Sequence, residues 1–242
     1  MRIDILTIFP EMFSPVLGCS IPARAAAAGL VEYHIHDIRD WANGPHNKVD
    51  DRPFGGGPGM VMMCQPVYDA VHAIEAMDPR PAQRILLSPQ GAPLTQPCVE
   101  ELSSCQRLLL IAGRYEGIDE RVIEELKPLE ISIGDFVASG GELPAMLLTD
   151  AVIRLIPGAL GHADSAAEDS FSSSADGRRL LDAPHYTRPR VWKNRQTPDV
   201  LLSGNHEAVA SWRDDARQTR TVNRRPDLLN GDRTIGQPND HN

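Results

Sequence analysis

The sequence predicts an α/β domain built around a mostly parallel sheet, followed by a small, mainly helical C-terminal domain. Two observations support this prediction. Over the first 160 residues, short aliphatic or β-branched runs alternate with segments of helical spacing, the order of strands joined by crossover helices. From residue 161 to residue 177 the residues are mostly small and polar. A segment of helical spacing that is rich in arginine follows later in the chain. We therefore expect domains over residues 1–160 and 178–242, joined by a flexible linker over residues 161–177.

The predicted elements follow in order along the first domain. Aliphatic or β-branched runs indicate strands over residues 2–8, 31–36, 84–88, 107–112 and 130–133. Apolar residues at helical spacing indicate helices over residues 11–28, 67–77, 96–103, 119–126 and 142–156. A glycine- and proline-rich stretch from residue 41 to about residue 60 predicts a long loop. In the C-terminal part, residues 206–220 indicate an Arg-rich helix that contains Trp212.

Charge is distributed unevenly along the chain. The whole sequence of 242 residues carries a net charge of -9, which by itself disfavours a nucleic-acid partner because phosphate contacts need Lys and Arg. Residues 1–177 hold 12 Lys and Arg against 25 Asp and Glu, a net charge of -13, whereas residues 178–242 hold 12 against 8, a net charge of +4. A basic appendage of this kind fits either a nucleic-acid-binding surface or a solvated helix, and charge alone does not separate the two.

Other features of the sequence disfavour whole classes of protein. The four cysteines form no CxxC pair and stand near no histidine cluster, which argues against a disulfide framework and a zinc site; they are Cys19, Cys64, Cys98 and Cys105. No apolar run is long enough for a secretory signal or a membrane span. We expect a cytoplasmic protein with no membrane association and no metal site in its own residues.

Three glycine-containing loops follow predicted strands of the first domain. They span residues 87–91, 113–117 and 133–141. Because parallel strands place ligands at their carboxyl ends, we expect these loops to meet in one binding site. Their spacing matches neither GxGxxG nor GxxxxGK[ST], which disfavours a dinucleotide or a triphosphate. Backbone groups, Ser, Asp and apolar walls suit an adenosine-like or zwitterionic ligand better.

Charged residues in and near the linker admit both a structural and a catalytic interpretation. Three carboxylates gather in the linker, Asp164, Glu168 and Asp169, and a carboxylate there is either a solvated loop residue or a general base on a segment that orders over substrate. Arg154 is either a surface cation at a helix C-terminus or a guanidinium that stabilises negative charge on the substrate. The residue types alone leave both alternatives open.

Long segments of the chain resemble the bacterial tRNA (guanine-N1)-methyltransferases of the SPOUT class, from residue 1 to about residue 229. The matching segments are IFPEMF at 8–13, VDDRPFGGGPGM at 49–60, LSPQG at 87–91, GRYEGIDERV at 113–122, SIGDFVASGGELPA at 132–145, PGALGHADSAAEDSF at 157–171, LLDAPHYTRP at 180–189 and LLSGNH at 201–206. So many segments in the same order make a chance match untenable.

The resemblance implies transfer of a methyl group from S-adenosylmethionine to N1 of guanosine 37, next to the anticodon of tRNA. It also implies a deep trefoil knot in the sheet and a homodimer whose active sites lie at the subunit interface. The three loops become the donor site, whose expected residues are Leu87, Ser88, Pro89, Gln90, Gly91, Gly113, Tyr115, Glu116, Gly117, Ile133, Gly134, Asp135, Phe136, Val137, Ala138, Gly140, Gly141 and Pro144.

The resemblance also assigns roles in the reaction. Asp169 matches the general base that takes the N1 proton, and Arg154 matches the residue that offsets charge on guanine O6. Contacts to the tRNA anticodon stem-loop are expected from Ser165, Asp182 and His185 in matching motifs. The charge of the Arg-rich C-terminal segment adds Arg217 and Arg220 as expected contacts to the tRNA. A requirement for Mg²⁺ is a further implication of the family.

The chain departs from the family pattern at a few positions. Phe136 stands where Tyr is usual, Ala138 where Leu is usual, and the stretch 172–179 is longer than in many members. Two alternative functions therefore stay open: a non-catalytic RNA-binding dimer of the same fold, or a methyltransferase of the same class that acts on another RNA nucleoside.

Overall fold

A computed structural model describes residues 1–43, 46–161, 169–174 and 177–229 of the chain. These residues fall into two compact units, the first comprising the described residues up to 161 and the second those from 169 onward. Within these described ranges, none of the helices combines the length and the apolar character that crossing a membrane requires.

The first unit is built on a five-stranded parallel sheet. Its strands are β1 (Arg2–Thr7), β2 (Glu32–Asp37), β5 (Gln83–Pro93), β6 (Arg107–Ile111) and β7 (Leu129–Ser132), in the order β2-β1-β6-β5-β7. A short antiparallel pair joins β3 (Asp50–Asp51) to β4 (Val61–Met62). Every neighbouring pair in the main sheet is parallel, so the predicted α/β class is confirmed. The trefoil knot stays a prediction.

Helices cover both faces of this sheet. They are α1 (Ser14–Leu17), α2 (Ser20–Ala27), α3 (Cys64–Ala76), α4 (Gln96–Ser103), α5 (Glu120–Leu126) and α6 (Glu142–Ile153). Alternate strand residues bury on opposite faces: Leu108 packs in the cluster with α2, α4 and α6, whereas Leu109 packs in the cluster with α3 and α5. This alternation follows from the two-residue period of a strand and makes a layer of sheet between two layers of helix.

The prediction of one continuous helix over residues 11–28 is wrong. A turn of 3₁₀ helix at Pro10–Met12 is followed by α1 and then by α2. The break lies at Cys19, whose backbone is extended, and at Ser20, which has a positive φ of 53°. Pro22 has no amide hydrogen with which to continue a helical ladder through the break.

The strand predicted over residues 84–88 is confirmed, but its predicted end is wrong, because β5 continues to Pro93. Leu87 and Ala92 both pair with Ile131 of β7, so the four intervening residues bulge out of the strand. The loop expected after the strand therefore lies within it. Gly91 sits at the tightest point, since a Cβ there would lie 2.4 Å from the Glu130 backbone.

The second unit contains one long helix and a small hairpin. The helix α7 (His206–Arg224) begins with Asn205, whose side chain accepts a hydrogen bond from the Ala208 amide at 3.2 Å. The hairpin joins β8 (Val191–Trp192) to β9 (Arg195–Gln196). Described residues of the predicted linker belong to this unit, because the Phe171 amide donates to Leu180 O at 2.8 Å.

A buried ion cluster joins the first strand of the main sheet to its centre. Asp4 and Arg107 are both fully buried, and Arg107 Nε lies 2.8 Å from Asp4 Oδ2. Arg107 also donates to the carbonyls of Ile74 and Glu75, near the end of α3. Burial alone would raise the pKa of Asp4, but hydrogen bonds from His36, Arg2 and Arg107 hold it well below its usual range.

The substitution Asp4→Asn is expected to lower the free energy of unfolding by about 3 to 5 kcal/mol at neutral pH, because it leaves Arg107 as an unpaired buried cation. Since folding depresses this pKa, the wild-type contribution is complete above the unfolded pKa of about 3.9 and is lost as pH falls below it. Urea unfolding at a series of pH values measures both effects.

The control is Asp69→Asn, which removes a carboxylate from an exposed hydrogen bond with Gln65 on α3. It should leave stability nearly unchanged. Equal destabilisation by the two variants would contradict the structural role of Asp4.

Candidate functional site

Three segments meet beside the bulge of β5 and the carboxyl ends of β6 and β7, and they enclose a cavity of about 330 Å³. They are the bulge 88–91, the loop 113–117 after β6, and the loop 133–141 between β7 and α6. Aliphatic side chains form much of the wall; they are Leu86, Leu87, Ile118, Ile123, Ile131 and Ile133. The size and apolar lining are those of a small-molecule site.

Close backbone contact holds the second and third loops together. The Gly141 amide donates to Gly113 O at 2.7 Å. A Cβ at Gly141 would lie 2.7 Å from Ala112 Cα, so only glycine permits this approach. Gly117 and Gly134 adopt φ values of 138° and 148°, which side chains rarely allow.

A buried ion pair fixes the same two loops. Arg114 leaves the second loop and its Nε donates to Glu142 Oε2 at 2.7 Å, while its Nη1 donates to Ser139 O in the third loop at 3.2 Å. Glu142 is fully buried at the first turn of α6, and Thr7 Oγ1 donates to its other oxygen at 2.9 Å. The Arg114 guanidinium also lies 4.5 Å from the centre of the Phe9 ring.

The chain around β4 supports the second loop from its other side. The Glu116 amide donates to Met60 O at 3.0 Å, and the Met62 amide donates to Gly117 O at 2.9 Å. A Cβ at Gly59 would lie 2.3 Å from the Glu116 carboxylate, so Gly59 fits closely against this loop. Within this frame, Tyr115 has a positive φ of 62°, and burial raises the pKa of its hydroxyl.

Most residues that the sequence assigns to the donor site line this cavity. They are Leu87, Ser88, Pro89, Gln90, Gly113, Tyr115, Glu116, Gly117, Ile133, Phe136, Val137, Ala138, Gly140, Gly141 and Pro144. Gly91, Gly134 and Asp135 do not line it. Gly91 packs against β7, Gly134 O accepts the Phe136 amide at 2.9 Å within a tight turn, and Asp135 is exposed.

The sequence interpretation missed several residues of the wall. Arg114 and Glu120 contribute polar groups to the wall, and Leu86, Ile131 and Ser132 line it from β5 and β7. Position near the end of a predicted buried strand is the signal that could have found the last three, because ligands of parallel sheets bind at strand ends.

The second unit gathers a different set of expected residues. Asp182 Oδ2 lies 2.7 Å from His185 Nε2, and its amide donates to Ser170 Oγ at 2.9 Å. Arg220 of α7 donates to Asp182 O at 3.2 Å, which ties the helix to this segment. Asp169 is next to Ser170 in the chain, and its carbonyl accepts hydrogen bonds from the Ser172 amide and hydroxyl. The expected residue Ser165 lies outside the described residues.

The two remaining expected residues lie on helices. Arg154 caps the C-terminus of α6, and Arg217 lies on α7, where its carbonyl accepts the Thr221 hydroxyl at 2.7 Å. As for metals, no group of three or more His, Cys, Asp or Glu side chains suited to a metal ion occurs among the residues that the structure describes.

Comparison with known proteins gives a consistent result. The family model described as tRNA (Guanine-1)-methyltransferase TrmD matches residues 1–231 of this chain. The chain belongs to this family. It is 51% identical over 230 residues to the tRNA (guanine-N(1)-)-methyltransferase of Rhodopirellula baltica, covering 95% of this chain and 94% of that protein. Proteins of the same name from Halorhodospira halophila and Pseudomonas putida strain W619 are each 54% identical, over 95% of this chain and 85% and 90% of theirs.

Membership of the TrmD family bears on which ligand the three-loop cavity suits. The family match spans both units, so the cavity and the Asp182 segment belong to one family architecture. A TrmD family protein needs a site for a methyl donor, and within the first unit the cavity at the strand ends has the size and lining that such a ligand needs.

The substitution Gly141→Ala is expected to weaken binding of S-adenosylmethionine at least tenfold and to lower the free energy of unfolding by about 1 to 3 kcal/mol, because the new Cβ meets backbone that cannot move cheaply. Calorimetric titration and urea unfolding measure the two effects. Gly161→Ala is the matched control, since a Cβ there meets nothing within 4 Å. Unchanged donor affinity in Gly141→Ala would show that the loop contact does not shape the site.

Proposed function

We propose that this protein transfers a methyl group from S-adenosylmethionine to N1 of guanosine 37 in tRNA. The observation that carries the proposal is the cavity beside the bulge of β5 and the carboxyl ends of β6 and β7, in a chain that matches the TrmD family from residue 1 to residue 231. The relatives named above are tRNA (guanine-N(1)-)-methyltransferases at 51% to 54% identity.

The residues of the cavity fit this donor chemically. Aliphatic walls suit an adenine ring, and loop backbone groups suit its polar edges and the hydroxyls of a ribose. Glu116 and Glu120 line the cavity, whereas the positive charge of Arg114 is offset by Glu142. The electrostatic balance therefore favours a ligand with a positive sulfonium and ammonium. When bound, S-adenosylmethionine supplies an electrophilic methyl group.

Methylation at N1 of guanine needs a base. Neutral guanine carries a proton on N1, which leaves no free lone pair there to attack a methyl group. In the proposed mechanism the Asp169 carboxylate accepts this proton as the N1–carbon bond forms, and the bond from that carbon to sulfur breaks. Negative charge that develops on O6 is stabilised by the Arg154 guanidinium.

Recognition of the tRNA is assigned to the second unit. Asp182 is a candidate to contact a guanine edge, because a carboxylate accepts hydrogen bonds from guanine N1 and N2. His185 holds the Asp182 carboxylate at 2.7 Å and so sets its direction. Arg217 and Arg220 are proposed to support this surface, and Ser165 is proposed to contact the target nucleotide. The target base must leave the anticodon-loop stack, which single-stranded RNA permits at modest cost.

Two further features follow from the family resemblance as proposals. The protein is proposed to act in the cytoplasm, where its tRNA substrate is available. A dependence on Mg²⁺ is testable by titration with a chelator, but no step is assigned to the ion because the described residues offer no three-ligand group for it.

We also propose a homodimer, and one face of α6 supports it. Leu143 and Leu147 are 60% and 50% exposed on a helix whose other residues are mostly buried. Helical spacing continues this stripe through Ala151 to Arg154, so an apolar strip leads to the proposed catalytic arginine. A second copy that covers the strip would remove exposed apolar surface and desolvate the guanidinium.

The reaction is tested by mapping the methylated nucleoside in tRNA transcripts treated with the pure protein. Methylation is expected at N1 of guanosine 37 and not in a transcript with adenosine at that position. Equal methylation of both would contradict the proposed substrate. The variant Asp169→Asn is expected to reduce turnover by a factor on the order of 10² to 10⁴ and to keep donor affinity, because the residue contacts the proton and not the donor.

Asp214→Asn is the control, since this carboxylate lies on α7 and accepts a hydrogen bond from Gln218 at the exposed surface. A parallel loss of donor affinity and turnover in Asp169→Asn would show that Asp169 is not the base. Loss of turnover in Asp214→Asn would show that the assay reports damage to the second unit.

The dimer is tested by light scattering on the substitution Leu147→Glu. Wild-type protein is expected to have the mass of two chains and the variant that of one, because a buried unpaired carboxylate disfavours association. Leu202→Glu, at a residue 49% exposed in the second unit, is the control and should keep the dimer. A monomeric wild type would contradict the proposal.

A further inference from the structure

The hairpin formed by β8 and β9 carries an unusual concentration of exposed positive charge. Four cations occur within residues 188–196; they are Arg188, Arg190, Lys193 and Arg195. No Asp or Glu occurs between Asp182 and Asp199, and every residue from 185 to 196 is exposed. The hairpin is therefore a basic projection from an otherwise mixed surface.

One cation anchors the hairpin and the others are available to a partner. Arg190 Nη2 lies 2.7 Å from Asp199 Oδ1, and the Thr197 amide donates to Arg190 O at 2.9 Å, which closes the base of the hairpin. Among the residues that the structure describes, none forms an ion pair with Arg188, Lys193 or Arg195. In contrast, Arg225 of the second unit is already paired with Asp227 at 2.8 Å.

The tip of the hairpin places an aromatic ring among these cations. Trp192 and Arg195 are cross-strand partners, so their side chains share one face. Lys193 Nζ lies 4.9 Å from the centre of the Trp192 ring, which is 58% exposed. An exposed tryptophan beside two cations is the composition of a surface that contacts both the bases and the phosphates of RNA.

The backbone at the tip is strained. Lys193 and Asn194 have φ values of 47° and 62°, as the central residues of a two-residue hairpin turn require. Asn tolerates this conformation, but Lys is not a residue that such turns favour. Lys193 in this turn therefore has a structural cost, which contact of its ammonium group with a partner would offset.

We propose that the β8–β9 hairpin is an RNA-contacting ribbon, in which Lys193 and Arg195 bind phosphates and Trp192 packs on an unpaired base or ribose of the tRNA. This inference rests on the proposed function for the identity of the RNA. It adds a second surface to the Asp182 segment: the hairpin contributes affinity, whereas Asp182 is assigned to base recognition.

The test compares the dissociation constant of the full-length protein for a tRNA transcript with guanosine 37 at several KCl concentrations. The double variant Lys193→Gln, Arg195→Gln is expected to bind on the order of tenfold more weakly at low salt and to reduce the slope of log Kd against log salt by about 1 for each lost phosphate contact. The charge-retaining variant Lys193→Arg, Arg195→Lys should keep the wild-type slope.

Arg24→Gln, Lys127→Gln is the matched control, because both residues are exposed cations of the first unit and their removal changes the net charge equally. It should bind as the wild type does. Trp192→Ala is expected to weaken binding on the order of tenfold while leaving the salt slope unchanged, since stacking involves no counterion release.

Three outcomes would overturn the proposal. The hairpin does not contact RNA if the neutral double variant behaves as the control does. If the charge-retaining variant loses as much affinity for tRNA as the neutral one, the positive charge of residues 193 and 195 is not what binds the RNA. If the neutral double variant has a different molar mass in solution from the wild type in the absence of RNA, the hairpin is a contact between subunits. If the wild type itself neither binds nor methylates the transcript, the proposed function fails, and not the hairpin alone.

Discussion

The carboxylate of Glu142 is fully buried, and the architecture of the cavity depends on the bonds that hold it there. Thr7 reaches it from the end of β1 and Arg114 from the loop after β6, at 2.9 and 2.7 Å. A buried charge is tolerated only when it is paired, so these partners are obligatory. Glu142 also stands in the first turn of α6, where the helix dipole favours an anion. One side chain thereby fixes the start of a helix, the path of two loops and the direction of Arg114.

This arrangement explains why the arginine beside the cavity adds no free positive charge to it. The arginine that could have attracted a phosphate is held by Glu142 and directed towards the Phe9 ring. The remaining lining consists of aliphatic side chains, backbone groups and the carboxylates of Glu116 and Glu120. The proposed division of ligands follows the same charge pattern: the acidic first unit suits a cationic small molecule, and the basic segment 178–242 suits a polyanion.

Sequence periodicity predicts the alternation of strands and helices well, because burial of alternate faces is a local property of the chain. The helix over residues 96–103 is confirmed at both ends, and β6 extends to within one residue of its predicted end. The bulge in β5 could not be predicted in this way, since it depends on Ile131 pairing with both Leu87 and Ala92. The buried cluster of Asp4 and Arg107 could not be predicted either, because the sequence around each residue does not indicate a contact with a residue 103 positions away. The resemblance to a family supplied the roles of individual site residues, which the physics of single segments left open, but it predicted neither the bulge nor the buried cluster.

The bulge in β5 bears on how a ligand reaches the cavity. Both ends of the segment 88–91 are hydrogen-bonded into the same sheet, so this wall is a fixed part of the sheet and not a flap. The loop 113–117 is similarly tied to β4. By contrast, Phe136 and Val137 in the third loop are 59% and 85% exposed and project from the sheet. Substitutions at the tip of the third loop are therefore expected to alter rates of ligand exchange more than equilibrium stability of the fold.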